Sequence, residues 1–372
     1  MSRNDGMEVT KVIESAGLRY LPDYAVPPGD TLRDTIQAMG MSQADLSRRT
    51  GLSAKHINQI VQGTAPISPD TALALERVVG VPARFWNALE ANYQARAIKL
   101  RERVMSDEDA LWLKKLPIKE LVARGWLTET SSAGELRDQV LAFFGVASRE
   151  SWEAVWLSPQ ASFRQSPAFQ AEPAATAAWL RLGELEAADL EVGEFDRRRF
   201  QEALAEIRSV MVEPAARFEP EMRRLCAESG VALVIVDELG GSRANGAARW
   251  LSPTKAMIQL SLRGRWEDIF WFSFFHEAGH ILLHGKRSAF VDGGTRDGAF
   301  EDEADSFAAR HLIPPADEPD LLRIRTLADV RRFAARQGIP PAVVVGRLQR
   351  EGLLAHGVGN GLRRRFQLAS TE

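Results

Sequence analysis

Two histidines four residues apart, with a glutamate beside the first, stand at His276, Glu277 and His280 in the run HEAGH. On a helix, positions i and i+4 share a face, so both imidazoles can aim a nitrogen at one ion about 2.0–2.1 Å away. Glu277 then sits beside that ion, placed to take a proton from a water the ion activates, which is the arrangement zinc proteases use. Ile269, Phe272, Phe275, Leu282 and Leu283 flank the motif as the apolar residues of a buried helix, and Ala278 and Gly279 are small enough for another segment to come close. Catalytic zinc takes three protein ligands and keeps one position open. A third histidine in the pattern H-E-x-x-H-x-x-G-x-x-H is missing, because Leu283 stands at the glycine position. His284 rotates off the ligand face and reads as a helix end or an outer support.

The third ligand is therefore sought on the next helix, where Glu301-Asp302-Glu303-Ala304-Asp305 offers two glutamates. Glu301 is preferred. Asp305, one turn on, would accept a hydrogen bond from a ligand histidine and fix its tautomer. Glu303 is the alternative. Two satisfied core histidines and an acidic helix start matching its dipole would explain each feature separately, but not their combination.

A second constellation lies upstream. Ser42–Gln62 reads as helix, glycine turn at Gly51, helix. Ser42 with Asp45 resembles a capping box, and Ser53 can cap the second helix. Leu46, Leu52, Ile57 and Ile60 supply the interior, which leaves Lys55, His56, Asn58, Gln59 and Gln62 on a polar face. Asn and Gln pair with adenine, and Lys reaches guanine or phosphate. A recognition helix presents such groups near its N-terminal end. Gln43, Ser53, Lys55, His56, Asn58 and Gln59 are thus the candidate contacts to double-stranded DNA. Acidic residues match the basic ones between Gly29 and Tyr93, so affinity per domain is modest and a homodimer is expected.

The elements that must position these groups can be read coarsely. Helical pieces from Leu32 to Tyr93 are separated by Gly40, Gly51, Gly63 and Gly80, where helix C-caps would put them. Residues 94–196 stay helical but irregular, with Ile118–Leu127 and Glu135–Phe144 amphipathic, five tryptophans adding apolar surface, and neither a chemical motif nor a repeat. Arg197–Ser229 reads as helix, Val231–Val236 as a buried strand and Gly240-Gly241 as a turn. Lys255–Leu262 alternates, with Ala256, Ile258 and Leu260 against Met257, Gln259 and Ser261, which predicts a half-buried strand able to pair with an extended substrate at an edge. The metal-site helix runs from about Trp266 to His284. After a loop with Gly293, Gly294 and Gly298, a second helix starts near Phe300 and stops at Pro314-Pro315. Arg363, Arg364 and Arg365 read as a solvated basic end.

Composition narrows the classes. A chain of 372 residues exceeds one ordinary domain. Lys+Arg is 47 against Asp+Glu 50, a net charge of −3, so bulk positive charge does not hold nucleic acid here. Hydrophobic content of 45% and charged content of 26% exclude wholesale disorder. The single cysteine, Cys226, excludes a disulfide framework within the chain and fits a reducing cytosol. No apolar run nears the roughly 20 residues that span a bilayer, and Met1–Asp30 lacks a signal-peptide pattern. A soluble cytoplasmic protein without a membrane partner is expected.

The run WLSPTKA at 250–256, Ile258–Leu262, the HEAGH and EDEADSFAARHLIP at 301–314 resemble the ImmA/IrrE family of metallopeptidases over roughly residues 220–315. That resemblance implies that His276, His280 and Glu301 bind Zn2+ and that Glu277 is the general base. His311 stands where the family usually has leucine, and is open to three readings: a core misfit, a group supporting the ligands, or an oxyanion donor. Residues 28–94, with SPDTALALE at 68–76 and FWNALEANY at 85–93, are similar to the XRE-type domain of HigA-like antitoxins. Such domains bind DNA, usually as dimers, and repress their own promoters.

The expected architecture is mainly α with a small β-sheet: a lead-in (1–27), a helix-turn-helix bundle (28–94), a helical middle region (95–195), a zincin-like domain (196–355) and a tail (356–372). The expected function is a DNA-binding transcriptional regulator with a zinc endopeptidase that cleaves a repressor or partner regulator. The alternative is an antitoxin-like repressor whose metal domain senses or is structural without proteolysis.

Overall fold

Separate hydrophobic cores organise the described residues. The computed structural model describes residues 24–102, 106–157, 172–284 and 297–366, and it divides into a unit ending at Ser106 and a second beginning at Asp107. The first holds α1 (Pro28–Ala38), α2 (Gln43–Thr50), α3 (Ala54–Val61), α4 (Pro69–Val79) and α5 (Ala83–Glu102). Leu32, Leu46, Ile57, Ile60, Leu75 and Trp86 fill its centre. Gly51 and Gly80 are left-handed C-caps of α2 and α4, while Gly40 and Gly63 fall one residue past the caps of α1 and α3. Helix α5 runs on unbroken through Tyr93 and Gln94.

The second unit opens with α6 (Asp107–Lys115), α7 (Ile118–Ala123), α8 (Ala133–Phe144), α9 (Arg149–Trp156) and α10 (Pro173–Ala188). Trp112 packs edge-on against Trp152, and Trp152 and Trp156 each pack edge-on against Phe144. Arg197–Ser229 is two helices rather than one continuous helix: α11 (Arg197–Val210) and α12 (Ala215–Glu228). Pro214, extended at the N-cap of α12, has no backbone N–H to continue the first helix.

The sheet has β1 (Val231–Ile235), β2 (Gly246–Ser252) and β3 (Lys255–Leu260) in the order β1-β3-β2. β3 is parallel to β1, with Leu233 opposite Ile258, and antiparallel to β2, with Ala248 opposite Ile258. Two sequence expectations change here. β3 is the central strand, so its backbone groups are already paired on both sides and it offers no edge to a substrate. It is also buried on both faces rather than half-buried. Ala256, Ile258 and Leu260 join one core with α12 and the helices C-terminal to the sheet. On the other face Gln259 Nε2 donates to the Trp179 carbonyl of α10 at 2.7 Å, and Trp179 Nε1 donates to the Val236 carbonyl at 3.0 Å. A helix of the middle region thus closes the sheet.

The rest is α13 (Glu267–Leu283), α14 (Asp297–Leu312), α15 (Glu318–Leu321), α16 (Leu327–Gln337) and α17 (Pro341–Arg350). The expected glycine loop falls largely outside the described residues. The basic tail is not a solvated end. Arg363 pairs with Asp268 at 2.8 Å, Arg364 with Glu267 at 2.5 Å, and Arg365 lies over the Trp266 ring. These contacts place cations against the acidic first turn of α13. The protein is therefore mainly helical with one small mixed sheet, and no helix among the described residues is long and apolar enough to cross a membrane.

Candidate functional site

α13 is apolar nearly all round, as a helix inside a core must be, and it carries His276 and Glu277 to 0% and 1% exposure. α14 lies close beside it because the facing residues are small. A Cβ added at Gly279 would stand 3.3 Å from Ala304 Cα and 3.2 Å from Phe307 Cδ1, and Ala278 and Ala304 are fully buried. At the other end of α14, Arg208 of α11 donates to the His311 carbonyl at 2.7 Å and the Leu312 carbonyl at 3.2 Å, satisfying carbonyls that a helix end leaves open.

This packing brings three side chains together. His276 Nε2 and His280 Nε2 are 3.0 Å apart, and the Glu301 carboxylate lies 3.2 Å from the first and 3.3 Å from the second. With metal–ligand bonds of about 2.0–2.1 Å, the edge of a tetrahedron is about 3.3–3.4 Å, so two imidazoles and a carboxylate at this spacing fit a zinc ion. Among the described residues this is the one such group of histidine, cysteine or acid side chains. Burial would raise the Glu301 carboxyl, but with both imidazoles protonated their Nε2–H hydrogen bonds and charge outweigh it and hold it down to about 2.

Both imidazoles are oriented from behind. His276 Nδ1 donates to Asp305 Oδ1 at 2.8 Å. A carboxylate only accepts, so the proton sits on Nδ1 and the Nε2 lone pair faces the cluster. Asp305 is itself held by Arg350 of α17 at 2.5 Å. His280 is oriented by a relay that sequence spacing only hinted at. Its Nδ1 is 2.9 Å from His284 Nδ1, and His284 Nε2 is 3.3 Å from Glu303 Oε2. Glu303 accepts from His284 Nε2–H, which leaves His284 Nδ1 to accept from His280 Nδ1–H and turns the His280 Nε2 lone pair to the cluster. Burial, with the charge of His280, holds the His284 pKa below its usual range and favours the neutral ring this relay needs. His284 also caps α13. Glu303, the alternative third ligand, is engaged in this relay, and Glu301 occupies the cluster.

Glu277 has its own steric slot. A Cβ added at Gly246, the first residue of β2, would lie 2.7 Å from Glu277 Oε1 and 2.8 Å from its Cγ. Only a glycine leaves room for the carboxylate there. Nothing local in the sequence marks Gly246, because the contact crosses from β2 to α13. His311 is not brought to the cluster. Its ring stacks 5.8 Å from that of Phe275 and 4.0 Å from that of Phe307, and its Nδ1 donates to the Phe307 carbonyl at 3.0 Å. Burial lowers its pKa.

In the first unit, Ser42 Oγ accepts from the Asp45 N–H, and Ser53 Oγ accepts from the His56 N–H. Leu46, Ile57 and Ile60 are buried. Lys55 and Asn58 are exposed on α3, with His56 and Gln59 half-buried. Asn58 Nδ2 reaches Gln43 Oε1 at 3.5 Å, setting the start of α2 beside α3. Ser53 is engaged as a cap through its acceptor oxygen.

Comparison with known proteins gives both units a place. The helix-turn-helix family matches residues 32–86, and the IrrE N-terminal-like domain matches residues 255–349. Virulence-associated protein I of Dichelobacter nodosus is 34% identical over 82 residues, which are 22% of this chain and 74% of that protein. The chain belongs to the XRE-type helix-turn-helix family, fused to an IrrE-like domain. It is a regulator-type protein with a DNA-binding domain and a peptidase-like domain. The IrrE-like match begins at β3 and ends in α17, so it contains the His276, His280 and Glu301 cluster with its supports Asp305, His284 and Glu303, while Gly246 lies outside it. The helix-turn-helix match runs from α1 into α5 and contains the candidate DNA contacts.

Proposed function

We propose that this protein is a cytoplasmic DNA-binding transcriptional regulator whose IrrE-like domain is a zinc-dependent endopeptidase acting on a repressor or partner regulator. The observation that carries the reading is the buried Glu277 beside two imidazoles and a carboxylate spaced for one ion. A carboxylate is not needed at position 277 to hold a metal, only to use it. Zinc bound by His276, His280 and Glu301 supplies Lewis acidity toward a water and a peptide carbonyl. Glu277 accepts the proton of the attacking water and returns it to the leaving amine. Gly246 keeps the Glu277 carboxylate in place, and Asp305 and His284 keep the ligand lone pairs aimed. All three tyrosines, Tyr20, Tyr24 and Tyr93, lie upstream of this domain in the sequence, so the domain itself has no tyrosine to offer the oxyanion.

The α3 face with Lys55, His56, Asn58 and Gln59, flanked by Gln43 and Ser53, reads DNA, and a homodimer supplies the affinity that a neutral domain lacks. The test is Glu277→Gln in the full chain, with metal analysis and incubation with co-encoded regulators. The variant should keep stoichiometric zinc and lose cleavage, whereas His280→Ala should lose the zinc. A wild-type protein that holds zinc but cleaves none of these partners would turn the reading to a metal sensor without proteolysis.

A further inference from the structure

Residues 236–245 join β1 to β2 and lead straight into Gly246. The middle region grips this segment along most of its length. The Val236 carbonyl accepts from Trp179 Nε1 of α10 at 3.0 Å. Arg124, the C-cap of α7, donates to the Asp237 carbonyl at 3.0 Å and to the Glu238 carbonyl at 2.8 Å. The Gly240 N–H donates to the Glu120 carboxylate of α7, 3.1 Å from each oxygen. Glu172, the N-cap of α10, donates its N–H to the Gly241 carbonyl at 2.9 Å, and the Thr176 hydroxyl donates to the Ser242 carbonyl at 3.1 Å. Two glycines permit this approach. A Cβ at Gly240 would lie 2.8 Å from Glu120 Oε1, and Gly241, at φ 90°, would carry one 3.1 Å from Glu172 Oε2.

The end of the segment is held in a rarely occupied conformation. Arg243 has a left-handed φ of 50°, which a residue other than glycine keeps only where its surroundings impose it. Arg263 donates to the Arg243 carbonyl at 2.8 Å. Ser261 donates its hydroxyl to the Ala244 carbonyl at 2.6 Å and its N–H to the Asn245 carbonyl at 2.9 Å. Gly246, against Glu277, comes next. The IrrE-like match starts at residue 255, so it contains neither this segment nor α7 and α10.

We propose that the middle region belongs to the proteolytic apparatus, with Arg124, Glu120 and Thr176 as positioning residues that set Gly246 against Glu277 through the segment they grip; the proposal rests on the peptidase reading above. Gly246 forms the first pair of the β2–β3 ladder, so the chain entering it sets its place as much as the ladder does. A grip that is lost leaves a carbonyl without its donor and lets Arg243 relax. Gly246 then shifts, and with it the slot of the carboxylate.

The test uses the zinc-loaded full chain and acetohydroxamate, which binds metal without being cleaved and shares its acidic proton with a carboxylate beside the metal. Glu277→Gln should weaken it about tenfold to a hundredfold, the size of one hydrogen bond to a charged group. Thr176→Val removes a hydroxyl and keeps the shape, and Arg124→Met removes the guanidinium. Each should weaken acetohydroxamate about tenfold while zinc stays stoichiometric, which reports that the variant is folded; where one variant does not fold, the other decides. Thr176→Ser should bind as wild type. Added to Glu277→Gln, neither change should weaken binding further, because residues acting through one carboxylate are not additive. Wild-type affinity in either folded variant, or a loss that adds fully to that of Glu277→Gln, overturns the proposal and leaves the metal centre standing. Failure of acetohydroxamate to bind the wild type, or indifference of its binding to Glu277→Gln, overturns the peptidase reading and this proposal with it.

Discussion

Gly246→Ala tests whether the catalytic reading of Glu277 depends on one missing methyl group. The added Cβ would lie 2.7 Å from Glu277 Oε1, where ordinary contact begins at 3.4 Å. Something must move by about 0.7 Å (3.4 − 2.7). β2 is tied to β3 by a ladder that opens at the Gly246–Leu260 pair, and the α13 backbone is fixed in the core. The movable part is the Glu277 side chain, so the carboxylate shifts. Misplacement by about 1 Å costs on the order of a hundredfold in rate, which sets the expectation at tenfold to a hundredfold, short of the full loss in Glu277→Gln. Overpacking of this kind destabilises by about 1–3 kcal/mol, or a Tm lower by about 3–10 °C in a unit of this size. Zinc content should not change, because the three atoms nearest the new methyl all belong to Glu277. Cleavage of a partner regulator, calorimetry and metal analysis on one preparation measure all three. Wild-type cleavage with the methyl in place would show that the slot does not hold the carboxylate. Loss of zinc would show that the strain travels to the ligands instead.

Other outcomes rest on the same geometry. His284→Ala and Glu303→Gln should each weaken zinc binding about tenfold to a hundredfold by freeing the His280 ring, as read by competition with a chelator; unchanged affinity would remove the relay from the account. In the metal-free chain the Glu301 carboxyl titrates at about 2 rather than its usual 4.5. A carboxyl depressed by folding contributes stability that is complete above its unfolded pKa and disappears as pH falls through the folded one. The stability gap between wild type and Glu301→Gln should therefore narrow from pH 4.5 to 2 in chelator, and a constant gap would contradict the depressed carboxyl. Asn58→Ala should cost about 1–3 kcal/mol at one operator base pair. Lys55→Ala should weaken binding to all sequences and lower the salt slope by about 1; equal effects of the two variants on every sequence would take base reading away from α3.

What was legible in the sequence shares one property: it depends on neighbours within a few residues. The i, i+4 spacing of His276 and His280, the acids from Glu301 to Asp305, the small residues between them and the serine caps of α2 and α3 all follow from the 3.6-residue turn. The choice of Glu301 over Glu303 needed the crossing of α13 and α14, since both acids sit on the same turn and only helix rotation decides which one meets the imidazoles.

Contacts across the chain were beyond reach of local pattern. Alternation in Lys255–Leu262 promised one wet face, but α10 arrives from some 75 residues earlier and covers it. The strand β2 carries little aliphatic patterning, with Arg249 and Trp250 half-buried, and it is fixed by pairing rather than propensity. The arginines after residue 362 read as solvent-facing because their acidic partners, Glu267 and Asp268, lie almost a hundred residues away. Sequence by itself therefore named the candidate residues and the helices that carry them. Only the tertiary structure decided which lone pairs face inward, that Gly246 makes room for Glu277, and that α7 and α10 grip the segment before Gly246, because each of these is a distance between segments the covalent chain does not connect.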